Sequence, residues 1–291
     1  MQTPLRFKKV AIVGKYMNPS AVESMRQDLA SLVSHLKAKN IEVFVEENTA
    51  QQAQLNDCLR VQQNQIAQLA ELVIVMGGDG TMLSVARSLV ESNVPLIGIN
   101  RGRFGFLTDM RAEEMLDEID QILAGEFQQE SRMMLCAEVI RERTSIFKCD
   151  ALNDVVIKSE LRLIELEVYI NQKFVYRQRS DGLIICSPTG TTAYALSAGG
   201  PILHPNLDAI ALVPICPHTL TNRPITVPSD GVIEVKLVHI NGAHISVDGQ
   251  SQAPLMLGDV IGIRRAARSV TLLHPKDYCY FDMLRNKLNW G

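Results

Sequence analysis

The 291-residue sequence predicts an α/β N-terminal domain on a parallel sheet, followed by a β-rich, sandwich-like C-terminal domain. Three observations predict this. Over the first 125 residues, short apolar runs alternate with stretches of helical spacing, the pattern of strand–helix–strand units. Beyond about Phe127, short β-prone runs follow one another with little helix between them. The length also suits two hydrophobic cores better than one, at roughly 100–200 residues per domain.

Val10 to Val13 reads as a buried strand. Ser20 and Glu23 have capping-box spacing. Val22, Met25, Leu29, Leu32, Val33 and Leu36 then recur at three and four, which predicts a helix from near Ser20. Ile41 to Val45 is a second strand, and the Gln-rich stretch 51–68 fits either a loop or an amphipathic helix. Leu72 to Met76 is an apolar strand stopped by Gly77-Gly78-Asp79-Gly80, after which Met82, Val85, Ala86, Leu89 and Val90 resume helical spacing. Val94 to Ile99 is a strand with Pro95 near its start, where a missing donor is tolerable. Residues 111–124 read as a helix through Met115, Ile119, Ile122 and Leu123. This alternation makes the sheet of residues 1–125 parallel and Rossmann-like.

The β-rich domain is assigned to 126–275. Its runs lie at 133–140, 152–157, 163–170, 173–177, 182–186, 209–215, 231–239, 243–247 and 259–274. Asp181-Gly182, Asp230-Gly231, Asn241-Gly242 and Asp248-Gly249 punctuate them as turns. The last segment, 276–291, mixes aromatic and polar residues and is a candidate to pack back on the first domain.

Composition narrows the function. With 46% apolar and 21% charged residues, disorder and coiled coil are excluded as the dominant state. Twenty-nine basic against 32 acidic residues give a charge of −3, which argues against a general phosphate-backbone binder and leaves a small anionic substrate open. Six cysteines, no two closer than 13 positions, form no CxxC or disulfide framework and suit a reducing compartment. No run approaches the ~20 apolar residues of a membrane helix. The N-terminal apolar run meets Lys15 too soon for a signal peptide. The expectation is a cytoplasmic protein with neither a nucleic-acid nor a membrane partner.

Four constellations can carry chemistry. Gly77-Gly78-Asp79-Gly80-Thr81 joins a strand to a helix, so its backbone can turn sharply and offer amides to a phosphate. The embedded Asp79 is at odds with a pure phosphate cradle. It can accept a proton from a sugar hydroxyl, help to hold a metal on the phosphates, or simply form an Asp-Gly turn. Asn100 to Phe106 follows the next strand, and its Arg101 and Arg103 can line a phosphate pocket or lie in an exposed loop. Asn153-Asp154 suits a ribose diol or an amide, or a capped turn. Arg179 to Tyr194 is the densest stretch, with small hydroxyls beside Gly190 and the flat face of Tyr194. There is no GxSxG elbow, Cys186 has no histidine partner in sequence, and the histidines show no zinc-site spacing.

These blocks carry a family resemblance. GGDGT at 77–81, Asn153-Asp154 before a strand, and RSDG followed by SPTGTTAY at 179–194 are joined by AGGPI at 198–202, PHTL at 217–220, SVDGQ at 246–250 and LLHP at 272–275. In that order, over essentially the whole chain, the sequence closely resembles the bacterial ATP-dependent NAD kinases, particularly those of Gram-negative bacteria. GGDG alone is shared with lipid and sugar-type kinases. The chain departs from the commoner TPTGSTAY at Ser187 and Thr191, both still hydroxyls, and from Asn-Glu at Asp154, which shortens the carboxylate's reach.

The resemblance implies transfer of the γ-phosphoryl of ATP to the 2′-hydroxyl of the adenosine ribose of NAD. Mg²⁺ or another divalent cation serves as cofactor, with no metal ligands assigned, and the chain forms a homodimer or homotetramer. It implies Asp79 as catalytic base. Dinucleotide contacts are implied for Asp79, Gly80, Asn153, Asp154, Arg162, Arg179, Asp181, Thr192, Ala193, Tyr194, Ala195, Leu196, Ser197 and Gln250. Gly77, Gly78, Gly80 and Thr81 are left for phosphate. The rivals are a kinase of another sugar or lipid hydroxyl, which leaves the later blocks unexplained, and a non-catalytic dinucleotide-binding protein.

Overall fold

The computed structural model describes residues 5–14, 22–100, 105–159, 163–219, 221–239 and 242–290. The chain forms two compact units, Met1–Ser131 with Val270–Gly291 and Arg132–Ser269.

The first unit runs β1 (Lys9–Gly14), α1 (Val22–Ala38), β2 (Glu42–Glu46), α2 (Glu47–Gln52), β3 (Leu59–Val61), α3 (Gln63–Leu69), β4 (Leu72–Met76), α4 (Asp79–Leu89), β5 (Leu96–Asn100), β6 (Met110–Arg111) and α5 (Met115–Leu123). Its main strands pair in parallel in the order β3-β2-β1-β4-β5. That order reverses direction at β1 and β4, the place where doubly wound sheets bind ligands beyond their strands' carboxyl ends. The glycine motif follows β4 and so stands at this switch point. Helices α1 and α5 cover one face. Met25, Leu29, Leu32 and Leu36 of the one and Met115, Ile119 and Ile122 of the other share a core with Val10, Ile12, Leu72 and Ile74. Each such side chain contributes roughly 1.5–3 kcal/mol on burial.

The Gln-rich stretch resolves into α2, β3 and α3. Glu46 caps α2 by accepting from the amides of Asn48 at 3.0 Å and Thr49 at 2.8 Å. Only Ala53, Val61 and Ile66 are its buried apolar anchors, too few for a readable period. Ser20, the expected helix start, lies outside the described residues.

The second unit takes in most of β7 (Phe127–Arg141), then β8 (Thr144–Ala151), β9 (Asp154–Ser159), β10 (Ile164–Ile170), β11 (Lys173–Ser180), β12 (Gly182–Cys186), a 3₁₀ turn (Thr189–Thr192), α6 (Tyr194–Ser197), β13 (Ala209–Ile215), β14 (Ile225–Pro228), β15 (Ile233–His239), β16 (Ala243–Val247), β17 (Ser251–Pro254) and the start of β18 (Val260–Pro275). Six antiparallel strands form one sheet in the order β14-β13-β12-β9-β16-β17. The other layer includes β11-β10-β15-β18 and the β7–β8 hairpin.

The layers meet as a sandwich: Val155, Ile157, Leu183 and Ile185 share a core with Leu166, Val168, Val235 and Ile261. Ile184 and Cys186 point the other way, into a smaller cluster with Ala195, Ala211 and Val213. That two-sided burial explains the unbroken apolar run of β12. Strands β3, β6, β8, β14 and β17 carry no strong sequence signal. Of these β8, β14 and β17 lie at ladder edges, and each shows partly or fully exposed residues.

Strand β18 re-enters the first unit at Val270, where Leu272 pairs in parallel with Leu96, and α7 (Tyr280–Leu288) follows. Among the described residues no helix is long and apolar enough to cross a membrane. Ile185 is fully buried at the sandwich core. Ile185→Ala is expected to lower unfolding free energy by about 2–5 kcal/mol, read as a shifted denaturant midpoint at unchanged slope.

Candidate active site

In the first unit, β4 ends at Met76 and its ladder extends one bond further, from the Gly77 amide to Ile99 O at 2.9 Å. Gly78 is the N-cap of α4 and Asp79 its first residue, so the carboxylate sits at the positive end of the helix dipole. Gly77 and Thr81 are packed together: a Cβ on Gly77 would approach Thr81 Oγ1 to 2.7 Å. At Gly78 a Cβ would meet nothing within 4 Å, so the backbone there is open to approach. Gly80 is also exposed.

The Asp79 carboxylate is half-buried and held from the far side. It accepts from the amide of Phe106 on Oδ2 at 2.8 Å and from that of Leu107 on Oδ1 at 3.0 Å. Thr108 Oγ1 lies 3.4 Å from Oδ1, and Asn100 Nδ2 donates to that hydroxyl at 3.1 Å. Two glycines permit the arrangement. A Cβ on Gly105 would collide with Asp79 Oδ1, and one on Gly98 would reach Leu107 O at 2.6 Å. The loop therefore packs closely on β5, and Oδ2, with a single donor, keeps lone-pair capacity for a further one. Arg101 to Phe104 lie outside the described residues.

In the second unit, a cleft of about 410 Å³ is lined by Asn153, Asp154, Lys158, Tyr194, Ser246 and Asp248 among others. Its floor is rigid. Asp248 and Gly249 form the β16–β17 turn, both at positive φ (49° and 65°). From there the Asp248 carboxylate accepts the amides of Leu152, Asn153 and Asp154 at 3.0, 2.8 and 3.1 Å. On the opposite side the Ser187 amide donates to Asn153 O at 2.9 Å. Gly190 packs so closely on the Asn153 backbone that any Cβ would collide with it.

Within this clamp, Asn153 Oδ1 is buried with no hydrogen-bond partner. A buried acceptor facing a cleft calls for a donor from a ligand. Beside it, burial and then the Asp248 charge push Asp154 up from 3.8 to about 7. Burial also pushes the Cys186 thiol up to about 12, consistent with an inert packing residue rather than a nucleophile.

Ala193 and Tyr194 line the cleft with Asn153 and Asp154. Thr192 is half-buried and donates to Thr189 O at 3.2 Å, while Ala195 is fully buried in the core and Leu196 and Ser197 are more open. Gln250 is exposed in the turn, and Gln252 is the glutamine lining the cleft. Arg162 lies outside the described residues. Arg179 and Asp181 are exposed beside Gly182, whereas Asp154 pairs with Cys186 at the other end of β12. At ~3.3 Å per residue that separates them by about 13 Å along the strand.

Sequence reasoning missed Lys158 and Ser246. Period-two alternation from Asp154 through Val156 to Lys158 was the available signal for the first, and Ser246 pairs with Val156 across the ladder. The amides of 106–107 carried no side-chain signal at all.

Two domain families match the chain, the ATP-NAD kinase N-terminal domain over residues 10–127 and the ATP-NAD kinase C-terminal domain over 152–274. The chain is 46% identical over 293 residues to an NAD kinase of Thiobacillus denitrificans, covering 100% of this chain and 99% of that one. It is 47% identical over 288 residues to an NAD kinase of Aromatoleum aromaticum, covering 98% and 95%. Among solved structures, an Archaeoglobus fulgidus NAD kinase in complex with ATP matches with TM-score 0.73 at 25% identity, covering 97% of this chain and 100% of that one. Yeast NADH kinase complexed with NADH shares the fold, with TM-score 0.88 at 24% identity over 100% of this chain and 89% of the other.

The raised Asp154 gives a sign-defined test. Because its folded value lies above its unfolded one, its contribution to stability is complete below about 4 and is lost as pH rises through about 7. Asp154→Asn is expected to remove that loss. The variant's melting temperature should gain on the parent's from about pH 4 to pH 8 without ligand.

Proposed function

The chain belongs to the ATP-NAD kinase family and phosphorylates NAD to NADP with ATP, and on that premise we propose how its residues do so. Asp79 is the general base: it takes the proton of the adenosine-ribose 2′-hydroxyl as that oxygen attacks the γ-phosphorus. The observation that carries this is the carboxylate itself, held by two amides at the mouth of a glycine turn with lone pairs to spare. The amides at the start of α4, with Gly77, Gly78, Gly80 and Thr81, receive phosphate oxygens. The cleft of the second unit takes the dinucleotide, with Asn153 Oδ1 accepting from an amide or amino N–H and Tyr194 offering a flat face.

Mg²⁺ is the proposed cofactor. Among the described residues no group of three or more His, Cys, Asp or Glu is arranged to hold a metal. Mg²⁺ keeps several waters and needs only one or two protein carboxylates, a role within reach of Asp79. When bound it neutralises charge on the phosphates. All six cysteines are free thiols, which suits a cytoplasmic location.

The active form is a homodimer or homotetramer. Arg179 and Asp181 stand at the far end of β12 from the cleft, and the resemblance gives both to the dinucleotide. Serving the dinucleotide of a neighbouring copy reconciles the two.

The reaction is read by coupling purified protein, NAD, ATP and Mg²⁺ to an NADP-specific dehydrogenase. Asp79→Asn is expected to keep the fold and most NAD affinity and to lose about 10²–10⁴-fold in kcat. A near-normal kcat would refute the base assignment. Mixing the inactive variants Asp79→Asn and Asp181→Ala should restore part of the activity, because mixed oligomers contain sites intact in both respects. A monomer by light scattering, or no recovery on mixing, would count against the shared site.

A further inference from the structure

Helix α7 carries a lysine where a helix facing a core carries an apolar residue. Tyr280, Met283 and Leu284 are buried. Lys287 continues that face at i+7, the position a fourth anchor would take. Arg285 and Asn286 are exposed, and Arg285 pairs with Asp282 in solvent. Lys287 is instead half-buried, with Nζ 5.8 Å from the centre of the Phe106 ring. Phe106 is the residue whose amide holds Asp79 Oδ2. Burial of the ammonium pulls Lys287 below the usual lysine range, and the Asp79 charge is what opposes that pull. Asn289, in the left-handed region, ends the helix two residues later by donating its amide to Arg285 O. The ammonium is thus set by a capped, anchored helix over the ring of the residue whose amide holds Asp79, within the same compact unit.

We propose that Lys287 is a second catalytic residue, a cation that grips the γ-phosphoryl group beside Asp79 during transfer. The inference rests on the reading of Asp79 above and deepens it. In the transfer, the 2′-hydroxyl proton passes to the Asp79 carboxylate as the O2′–Pγ bond forms. The bond from Pγ to the β-phosphate oxygen breaks, and its electron pair leaves with ADP. Lys287 is not consumed. Its N–H groups donate to the non-bridging oxygens of Pγ, where a desolvated ammonium acts more strongly than one in water. A lysine suits this task as a compact charge on a flexible stem.

The test uses the full chain with NAD, ATP and Mg²⁺, comparing Lys287→Met and Lys287→Arg with the parent. Methionine keeps an unbranched stem against Phe106 and removes only the charge. Lys287→Met is expected to lose about 10- to 100-fold in kcat with NAD affinity within about twofold. The loss should fall on kcat with KM for NAD nearly unchanged, and Lys287→Arg should recover part of the rate. A packing role predicts instead that Met and Arg behave alike, or that the loss falls on KM, and either result overturns the proposal. A parent that forms no NADP overturns the reading of the whole site. A parent that turns over while Lys287→Met keeps its rate overturns Lys287 alone.

Discussion

Backbone amides left over where strands and loops end impose the constraint on which both units depend, and carboxylates answer it. Asp79 takes two amides from the 106–107 loop and Asp248 takes three from 152–154. Glu71 takes those of Lys8 and Lys9, Glu46 two at the start of α2, and Asp259 that of Met256. A buried amide without a partner costs about 1–3 kcal/mol. An ionised carboxylate is the acceptor with the most room, able to serve several donors at once. Two of these clamps coincide with proposed site residues. The same bonds that satisfy the backbone therefore hold the Asp79 carboxylate in one unit and the cleft floor in the other.

Position then follows from topology. A parallel order that reverses between β1 and β4 leaves a crevice beyond the strand ends, and the glycine turn after β4 opens into it. In the sandwich the equivalent precision comes from close backbone approach. Gly190 against Asn153 and Gly182 against Ile157 O leave no space for a side chain. Substitution at either glycine would push the adjoining strand by a fraction of the distance on which hydrogen-bond recognition depends.

Much of this was legible in the sequence, for identifiable reasons. Apolar runs such as Leu72–Met76 and Gly182–Cys186 announce themselves because both faces of the strand are buried. Helices α1, α4 and α5 show their period because one face carries nearly all the burial. Asp79 and Tyr194 stand out by composition around glycine, and Asn153 by its place in an Asn-Asp pair before an apolar strand. What was not legible is whatever a neighbour in space supplies. Strand β8 reads as polar because it pairs only with β7. The Gln-rich stretch hides two helices behind few anchors. The partners of Asp79 are main-chain atoms, which no residue type advertises.

The charge balance of the candidate residues follows from the same economy. Asp79 in the first unit, and Asp154 and Asp248 in the second, are carboxylates at positions proposed for phosphate-bearing ligands, in a chain of net charge −3. Two devices offset that. Asp154 is buried beside Asp248, and burial and then that charge push it up to about 7, which removes part of its charge near neutral pH. Lysines are set on the inward faces of regular elements, Lys158 two residues on from Val156 on β9 and Lys287 one turn beyond Met283 and Leu284 on α7. A flexible surface lysine would be screened within a Debye length of ~8 Å and would contribute little. Anchored on a packed strand or helix and partly buried, its charge is screened less. An acidic protein can bind polyphosphate in this way through where its few cations stand, rather than through how many it has.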